Sequence, residues 1–227
     1  MLRGKQSKGK CAACGQEIAK NAVSKHLVVC ARRQDAVAKA ERGKGSTETL
    51  HHLRIQAAGQ NQFWLDLEMR GSASLKDLDD YLRAIWLECC GHMSCFSAGG
   101  WSDAEIAKKR KADEIFEPGI ELTHIYDFGT SSETLIKVIG VREARPTTSR
   151  PIALMARNLM PEYECIECKQ PAARLCMECL IEEDVWGTLC DAHAETHPHG
   201  NYGEPIPLVN SPRLGMCGYE GPAEPPY

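Results

Sequence analysis

The sequence predicts an α+β fold, a central sheet-plus-helix domain flanked by small zinc-binding modules. Three observations lead there. Leu53, Ile55 and Ala57, then Phe63, Leu65, Leu67 and Met69, alternate with other residues at the period of a strand. Leu75, Leu78, Leu82, Ile85, Trp86 and Cys89 recur at 3.6-residue spacing, the stripe of an amphipathic helix. Many of the 12 cysteines and 8 histidines fall near the two ends of the chain. Six of these cysteines form three Cys-x2-Cys pairs, the spacing by which one tight turn offers two thiolates to a zinc ion.

Composition narrows the function classes. The chain has 227 residues, 43% of them hydrophobic, enough for one larger domain or two to three small ones. No apolar run approaches the roughly 20 residues of a membrane span. Met1-Leu-Arg-Gly-Lys5 is basic but lacks an apolar stretch, so no secretory signal is expected. Cysteines interleaved with histidines favour zinc thiolates in a reducing cytoplasm over disulfides. The net charge of −4 hides a strong polarity. Residues 1–54 carry twelve Lys/Arg against four Asp/Glu, and residues 151–227 carry four against twelve. Such ends call for different partners, or for contact with each other.

Residues 1–10, rich in Gly, Lys and Ser, read as mobile. Cys11-x2-Cys14 then precedes His26-x3-Cys30. Ile18, Ala22, Val23, His26, Leu27 and Cys30 fit a helix beginning near Asn21, with His26 and Cys30 on one face. A knuckle opposite that face completes a four-ligand site, and the arrangement resembles Cys-Cys-His-Cys variants of small zinc fingers. Lys25, Arg32, Arg33, Lys39 and Arg42 lie on this helix and its continuation, a pattern suited to phosphates. Gly43-Lys-Gly-Ser46 reads as a linker, giving a basic module over residues 1–45.

The middle domain spans residues 46–160. Its two strands are joined through Ala58-Gly-Gln-Asn61. Ser74 caps the helix, Asp77 stands in its first turn, and Gly91 ends it. Cys89-Cys-Gly-His92-Met-Ser-Cys95 admits three readings: buried core, a further metal site, or a Cys/His nucleophile. Lys108-Lys-Arg-Lys111 reads as a solvated turn. Ile120 to Tyr126 and Leu135 to Val141 read as strands around the turn Asp127-Phe-Gly-Thr130. That turn is not a kinase element, for the chain lacks the glycine-rich loop, strand lysine and catalytic loop such an element needs.

Residues 161–227 contain Cys165-x2-Cys168, Cys176-x2-Cys179 and Cys190-x2-His193-x3-His197-x-His199. Eight candidate ligands suffice for two closed sites. With the N-terminal set, about three zinc ions are expected per chain. The thiolate-rich sets favour structural over catalytic zinc. Sequential pairing would unite Cys165, Cys168, Cys176 and Cys179, and Asp191 or Cys217 would complete a shell if only one of His197 and His199 binds. Residues 200–227, rich in Pro and Gly, read as an extended surface tail. Asn210-Ser-Pro-Arg213 and Cys217-Gly-Tyr219 are its anchors.

Two resemblances add to this reading. Leu65-x-Leu, Leu75-x2-Leu78, Ile85-Trp-Leu-Glu-Cys-Cys-Gly-His92 and Ile125-Tyr-Asp-Phe-Gly129 resemble the plasmid open-reading-frame-three-like family. Members are sometimes labelled passenger TnpR proteins of insertion elements. The resemblance covers roughly residues 49–142 and implies an α+β domain with a curved sheet against helices, but no mechanism. Many members carry an aromatic residue and a histidine after the Asp-Phe-Gly turn, where Ser132 and Thr134 stand here. The order of the C-terminal pairs resembles B-box and related cross-brace zinc modules. That implies one site from Cys165, Cys168, Cys190 and His193, and another from Cys176, Cys179, His197 and His199.

The expected function is that of a non-enzymatic scaffold or regulator. Its basic end would face DNA or RNA and its acidic end a protein, with no membrane and no small-molecule substrate. The alternatives are a pure protein adaptor, and an enzyme built on Cys89, Cys95 and His92.

Overall fold

The computed structural model describes residues 7–227, and the expectations for residues 1–6 lie outside it. The fold is α+β and divides into two compact units. The first comprises the described residues up to Arg83 together with His92–Leu159, and the second Ala84–Gly91 with Met160–Tyr227.

The first unit begins with strands β1 (Lys8–Cys11) and β2 (Glu17–Ala19), so mobility is overturned for Lys8, Gly9 and Lys10. Helices α1 (Val23–Val29) and α2 (Ala31–Glu41) follow, then β3 (Glu48–Ala57), β4 (Trp64–Arg70) and α3 (Leu75–Leu82). Strands β5 (Ser94–Ser97), β6 (Glu121–Tyr126), β7 (Ser132–Ala144) and β8 (Ile152–Asn158) complete it. All eight strands form one antiparallel sheet in the order β2-β1-β8-β4-β3-β7-β6-β5. Its registers place Leu53 opposite Leu67 and Ile55 opposite Leu65, all four fully buried.

The N-terminal segment is therefore not a module apart from the sheet. Strand β1 hydrogen-bonds to β8, with Gly9 opposite Asn158. Glycine is required there. A Cβ on Gly9 would fall 2.3 Å from Trp64 Cη2 and 2.4 Å from the Arg157 carbonyl oxygen. Ile18, Val23 and Leu27 then share a small core with Trp64, Met155 and Ala156 of the sheet. A segment with so little apolar surface of its own completes its core by borrowing the sheet's.

Helix α3 starts at the expected cap. Ser74 Oγ accepts from the Asp77 N–H, and Asp77 Oδ2 accepts from the Ser74 N–H. Its leucines 75, 78 and 82 are fully buried. The helix does not run to Gly91. It widens into a π-helical turn over Arg83–Leu87 and stops, which takes Cys89 off the buried stripe. Asp79 on α3 is buried and gathers four partners. His124 Nε2 lies 2.8 Å and Ser94 Oγ 2.7 Å from Oδ1, and Lys108 Nζ 2.9 Å and Arg83 Nε 3.2 Å from Oδ2. Lys108 is thus part of a buried network rather than of a solvated turn.

The second unit holds β9 (Arg174–Leu175), α4 (Met177–Glu182), β10 (Thr188–Leu189), α5 (Asp191–Ala194) and β11 (Ile206–Pro207). Its small sheet has the order β10-β9-β11. The C-terminal segment is no surface tail, because residues 211–215 are buried. Leu214 packs with Leu175 and Met177, and Ser211 Oγ donates to the Trp86 carbonyl oxygen at 2.6 Å.

Candidate metal centres

Three sets of four ligand atoms converge, each set lying within 4.8 Å of one another. They are Cys11, Cys14, His26 and Cys30; Cys165, Cys168, Cys190 and His193; and Cys176, Cys179, His197 and His199. The twelve cysteines and histidines of the three expected zinc motifs each fall in one of them, and each set could hold a metal ion.

In the first set Cys11 ends β1 and Cys14 sits in the turn that follows. Cys14 Sγ is 3.4 Å from His26 Nε2. Cys30 does not share a helical face with His26. It stands in the break between α1 and α2 with φ −65° and ψ 110°, its side chain buried with Val23 and Leu27. The sheet helps place this set. A register shift in the β4–β8 pairing leaves Met155 without a directly paired residue. The Met155 carbonyl accepts from the Ala12 N–H at 2.9 Å, and Met155 itself joins the core around Cys11 and Cys30.

The turns at Cys11 and Cys165 share one backbone geometry. The Cys11 N–H donates to the Gln16 carbonyl at 3.0 Å and its carbonyl accepts from the Gly15 N–H at 2.8 Å. The Cys165 N–H donates to the Gln170 carbonyl at 2.8 Å and its carbonyl accepts from the Lys169 N–H at 2.9 Å. Gly15 and Lys169, the residues after each second cysteine, have φ of 74° and 62°. The repeated pattern Cys-x2-Cys-x-Gln at 11–16 and 165–170 was the signal for this shared turn. The other two knuckles are helical, with Cys176 capping α4 and Cys190 capping α5.

The C-terminal pairs cross. His193 Nδ1 is 3.2 Å from Cys190 Sγ and 3.6 Å from Cys165 Sγ, while Cys168 Sγ is 3.9 Å from Cys190 Sγ. Cys179 Sγ is 3.3 Å from His197 Nε2 and 3.2 Å from His199 Nδ1, and Cys176 Sγ is 3.6 Å from the latter. Both histidines belong to the set. Asp191 instead pairs with Arg174 at 3.1 Å, and Cys217 lies beside Arg213.

The surroundings suit metal ligation. Each histidine of the last set turns its second nitrogen toward a carboxylate, His197 Nδ1 to Glu167 at 3.8 Å and His199 Nε2 to Glu183 at 3.6 Å. Both are charge contacts longer than a hydrogen bond. Burial works against a Cys165 thiolate, but backbone N–H groups of Cys190, Cys168 and Glu167 outweigh it and bring the thiol down to about 6. Burial and the neighbouring Cys176 and Glu183 push Cys179 up to about 12. Burial likewise raises the Cys11 thiol, whereas the Gln16 backbone N–H lowers Cys14. Thiols crowded at this distance repel as anions, and a divalent cation among them replaces that repulsion by attraction.

The basic residues separate. Lys25, Arg32, Lys39 and Arg42 are exposed. Arg33 is not free to meet phosphate, since its guanidinium is 3.0 Å from the Glu68 carboxylate, which Arg142 also grips at 2.9 Å. Of the Cys89–Cys95 region, Cys95 lies on β5 opposite Ile125, and burial raises its thiol.

No family model matches the chain, and no curated protein matches it. A solved protein of unknown function from Methanosarcina mazei Go1 gives a TM-score of 0.40 at 14% identity, over 49% of this chain and 68% of that one. That likeness is too weak to carry an argument. Among the described residues no helix is long and apolar enough to cross a membrane.

Proposed function

We propose that the protein is a non-enzymatic, zinc-binding scaffold of the cytoplasm that contacts nucleic acid through its basic N-terminal segment and protein through its acidic C-terminal unit. The supporting observation is the completeness of the three ligand sets. Four Cys/His donors close a tetrahedral zinc shell, whereas a catalytic ion keeps a position for water. Zinc fits better than harder cations because eight of the twelve donors are thiols. The resemblance of residues 49–142 to the plasmid open-reading-frame-three-like family belongs to this reading and adds no activity to it.

Helix α2 favours the nucleic-acid contact. It has no fully buried residue, so its eleven residues are held out from the core with Arg32 and Lys39 exposed. Lys39 and Arg145 line one cleft with Ala40, Gly43 and Gly45, the Arg145 guanidinium donating to the Gly45 and Glu41 carbonyl oxygens. The test is a salt series of zinc-loaded protein against short single- and double-stranded DNA and RNA. Binding at micromolar concentration or tighter with a steep salt slope supports the contact. No binding even at low salt overturns it, and the adaptor reading then leads.

A further inference from the structure

Each unit carries exposed apolar side chains that neither its core nor its ligand sets use. In the first unit Val28 and Val29 of α1 are 69% and 62% exposed. Helix α1 gives Val23 and Leu27 to the small core and His26 to the first ligand set, which leaves these valines facing outward. Lys25 stands three and four residues before them and so shares their face. Arg32 follows near the start of α2, and both cations are exposed. Residues 20–42 hold six Lys/Arg against two Asp/Glu.

In the second unit the segment Ile181-Glu-Glu-Asp-Val-Trp186 is exposed at all six positions. The last ligand set anchors it. The Val185 N–H donates to the Cys179 carbonyl at 3.0 Å, and the Gly187 carbonyl accepts from the Cys176 N–H at 2.9 Å. Asp184 turns the chain just before Val185, at φ 53°. Ile181, Val185 and Trp186 therefore stand in solvent with three carboxylates among them. No lysine or arginine occurs between Arg174 and Arg213, a stretch with seven Asp/Glu. The counter-charge for this segment has to come from elsewhere.

Single exposed apolar side chains need no explanation, but adjacent ones rimmed by charge mark protein contacts. Here the two rims have opposite sign. We propose that the outer face of α1 docks on the 181–186 segment of a second copy of this chain. Val28 and Val29 meet Ile181, Val185 and Trp186, while Lys25 and Arg32 meet the carboxylates between them. Complementary charge selects this register over contact between like patches. The contact is head-to-tail, so every chain that joins leaves one patch of each kind open, and assembly continues unless its rotation closes a ring. This inference rests on the reading that the acidic unit meets a protein, and it names that protein.

The test is analytical ultracentrifugation of the full zinc-loaded chain, freed of nucleic acid, from about 1 to about 300 μM, the range of weak contacts between small patches. The average mass should pass twice that of one chain at the upper end. Raising salt from about 0.05 to about 0.5 M should move the midpoint to roughly tenfold higher concentration. Lys25→Glu with Val28→Glu, and separately Glu182→Lys with Val185→Lys, should each give a monomer that keeps its metal. Mixed one to one, these variants should form a dimer that grows no further, because one intact patch of each kind remains. Should either variant lose metal, Val28→Ser and Val185→Ser, which add no charge, take their place. A natural chain that stays monomeric, a variant that still associates, or growth past two chains in the mixture overturns the proposal. A labelled synthetic peptide of lysine and valine, followed by anisotropy, separates this failure from that of the protein-contact reading. A monomeric chain that binds it, with binding lost in Glu182→Lys/Val185→Lys, keeps that reading and loses the second copy; a chain that binds neither loses both.

Discussion

Cys179 Sγ stands 3.2 Å from Nδ1 of His199, twenty residues further along the chain. That approach joins the second Cys pair to the last His pair and so decides the crossed pattern. It also requires Gly187, since a Cβ there would fall 2.4 Å from Cys179 Cβ and 2.9 Å from its sulfur.

Elemental analysis should give about three zinc ions per chain, and two for Cys179→Ser. Gly187→Ala should weaken the same site by displacing Cys179, releasing its ion to a chelator first. Ligands spread over α4 and the segment after α5 fold together only around the ion, so removing all metal should melt the second unit, read as lost near-ultraviolet circular dichroism. Retention of three ions by Gly187→Ala at unchanged affinity would falsify the packing role given to that glycine.

The shared knuckle makes an asymmetric prediction. Lys169 holds a left-handed backbone with a side chain that disfavours it, at φ 62°. Lys169→Gly should stabilise by about 0.5–1 kcal/mol, the relief of that strain less the added entropy of the unfolded chain. Gly15→Lys should destabilise by a similar amount, because Gly15 has the same conformation at φ 74°. Thermal midpoints of the two variants with metal bound decide it. Equal shifts of one sign would show that the turns are not equivalent.

The Asp79 network governs the acid limb of stability. Burial opposes the Asp79 charge, but hydrogen bonds from His124, Ser94 and Lys108 hold its carboxyl well below the usual carboxylate range. Its contribution is therefore present above the unfolded value of about 3.9 and is lost as pH falls below that toward the lower folded value. Burial also holds His124 below its ordinary value, although Asp79 pulls it upward. A neutral buried imidazole costs nothing above about pH 6.5 and costs progressively more below it. The gap in thermal midpoint between the natural chain and His124→Gln should thus narrow from about pH 8 to about pH 5, metal effects being common to both. A constant gap would mean that His124 is not held neutral. Asp79→Ala should cost about 3–5 kcal/mol by leaving Lys108 and Arg83 without their carboxylate.

Arg32 and Arg33 are neighbours with opposite expected roles. Replacing Arg32, Lys39 and Arg42 by Ala should leave stability nearly unchanged. It should reduce the slope of log affinity against log salt by about 0.9 for each duplex phosphate that these side chains no longer neutralise. Arg33→Ala should leave that slope alone and cost about 1.5–3 kcal/mol, the range for hydrogen bonds to a charged group, because it strips Glu68 of one partner. Denaturant titration and binding isotherms on the same variants separate the two roles.

Much of the fold and of the metal sets was legible in the residues. Period-two alternation marked β3 and β4, and the Ser74–Asp77 pair marked the start of α3, because both report local geometry. The same rules misplaced Cys30 and Cys89. Helical spacing continues through both positions, but the backbone breaks at Cys30 and turns π-helical before Cys89. The buried Asp79 network was illegible because its members come from α3, β5, β6 and the loop carrying Lys108, up to 45 residues apart.

The sequence by itself determined the donors: which cysteines and histidines can serve, since thiol, imidazole and the two-residue spacing are local chemistry. It also determined an α+β composition and two charge-opposed ends of the chain. Tertiary structure alone decided which donors meet, that β1 and β2 extend the sheet of β3, β4 and β8, and that Arg33 belongs to Glu68. The physical reason is range. Local spacing fixes a turn or a helical face, whereas a four-ligand shell, a strand pairing or a buried ion pair depends on where distant segments pack, and no single stretch of chain encodes that.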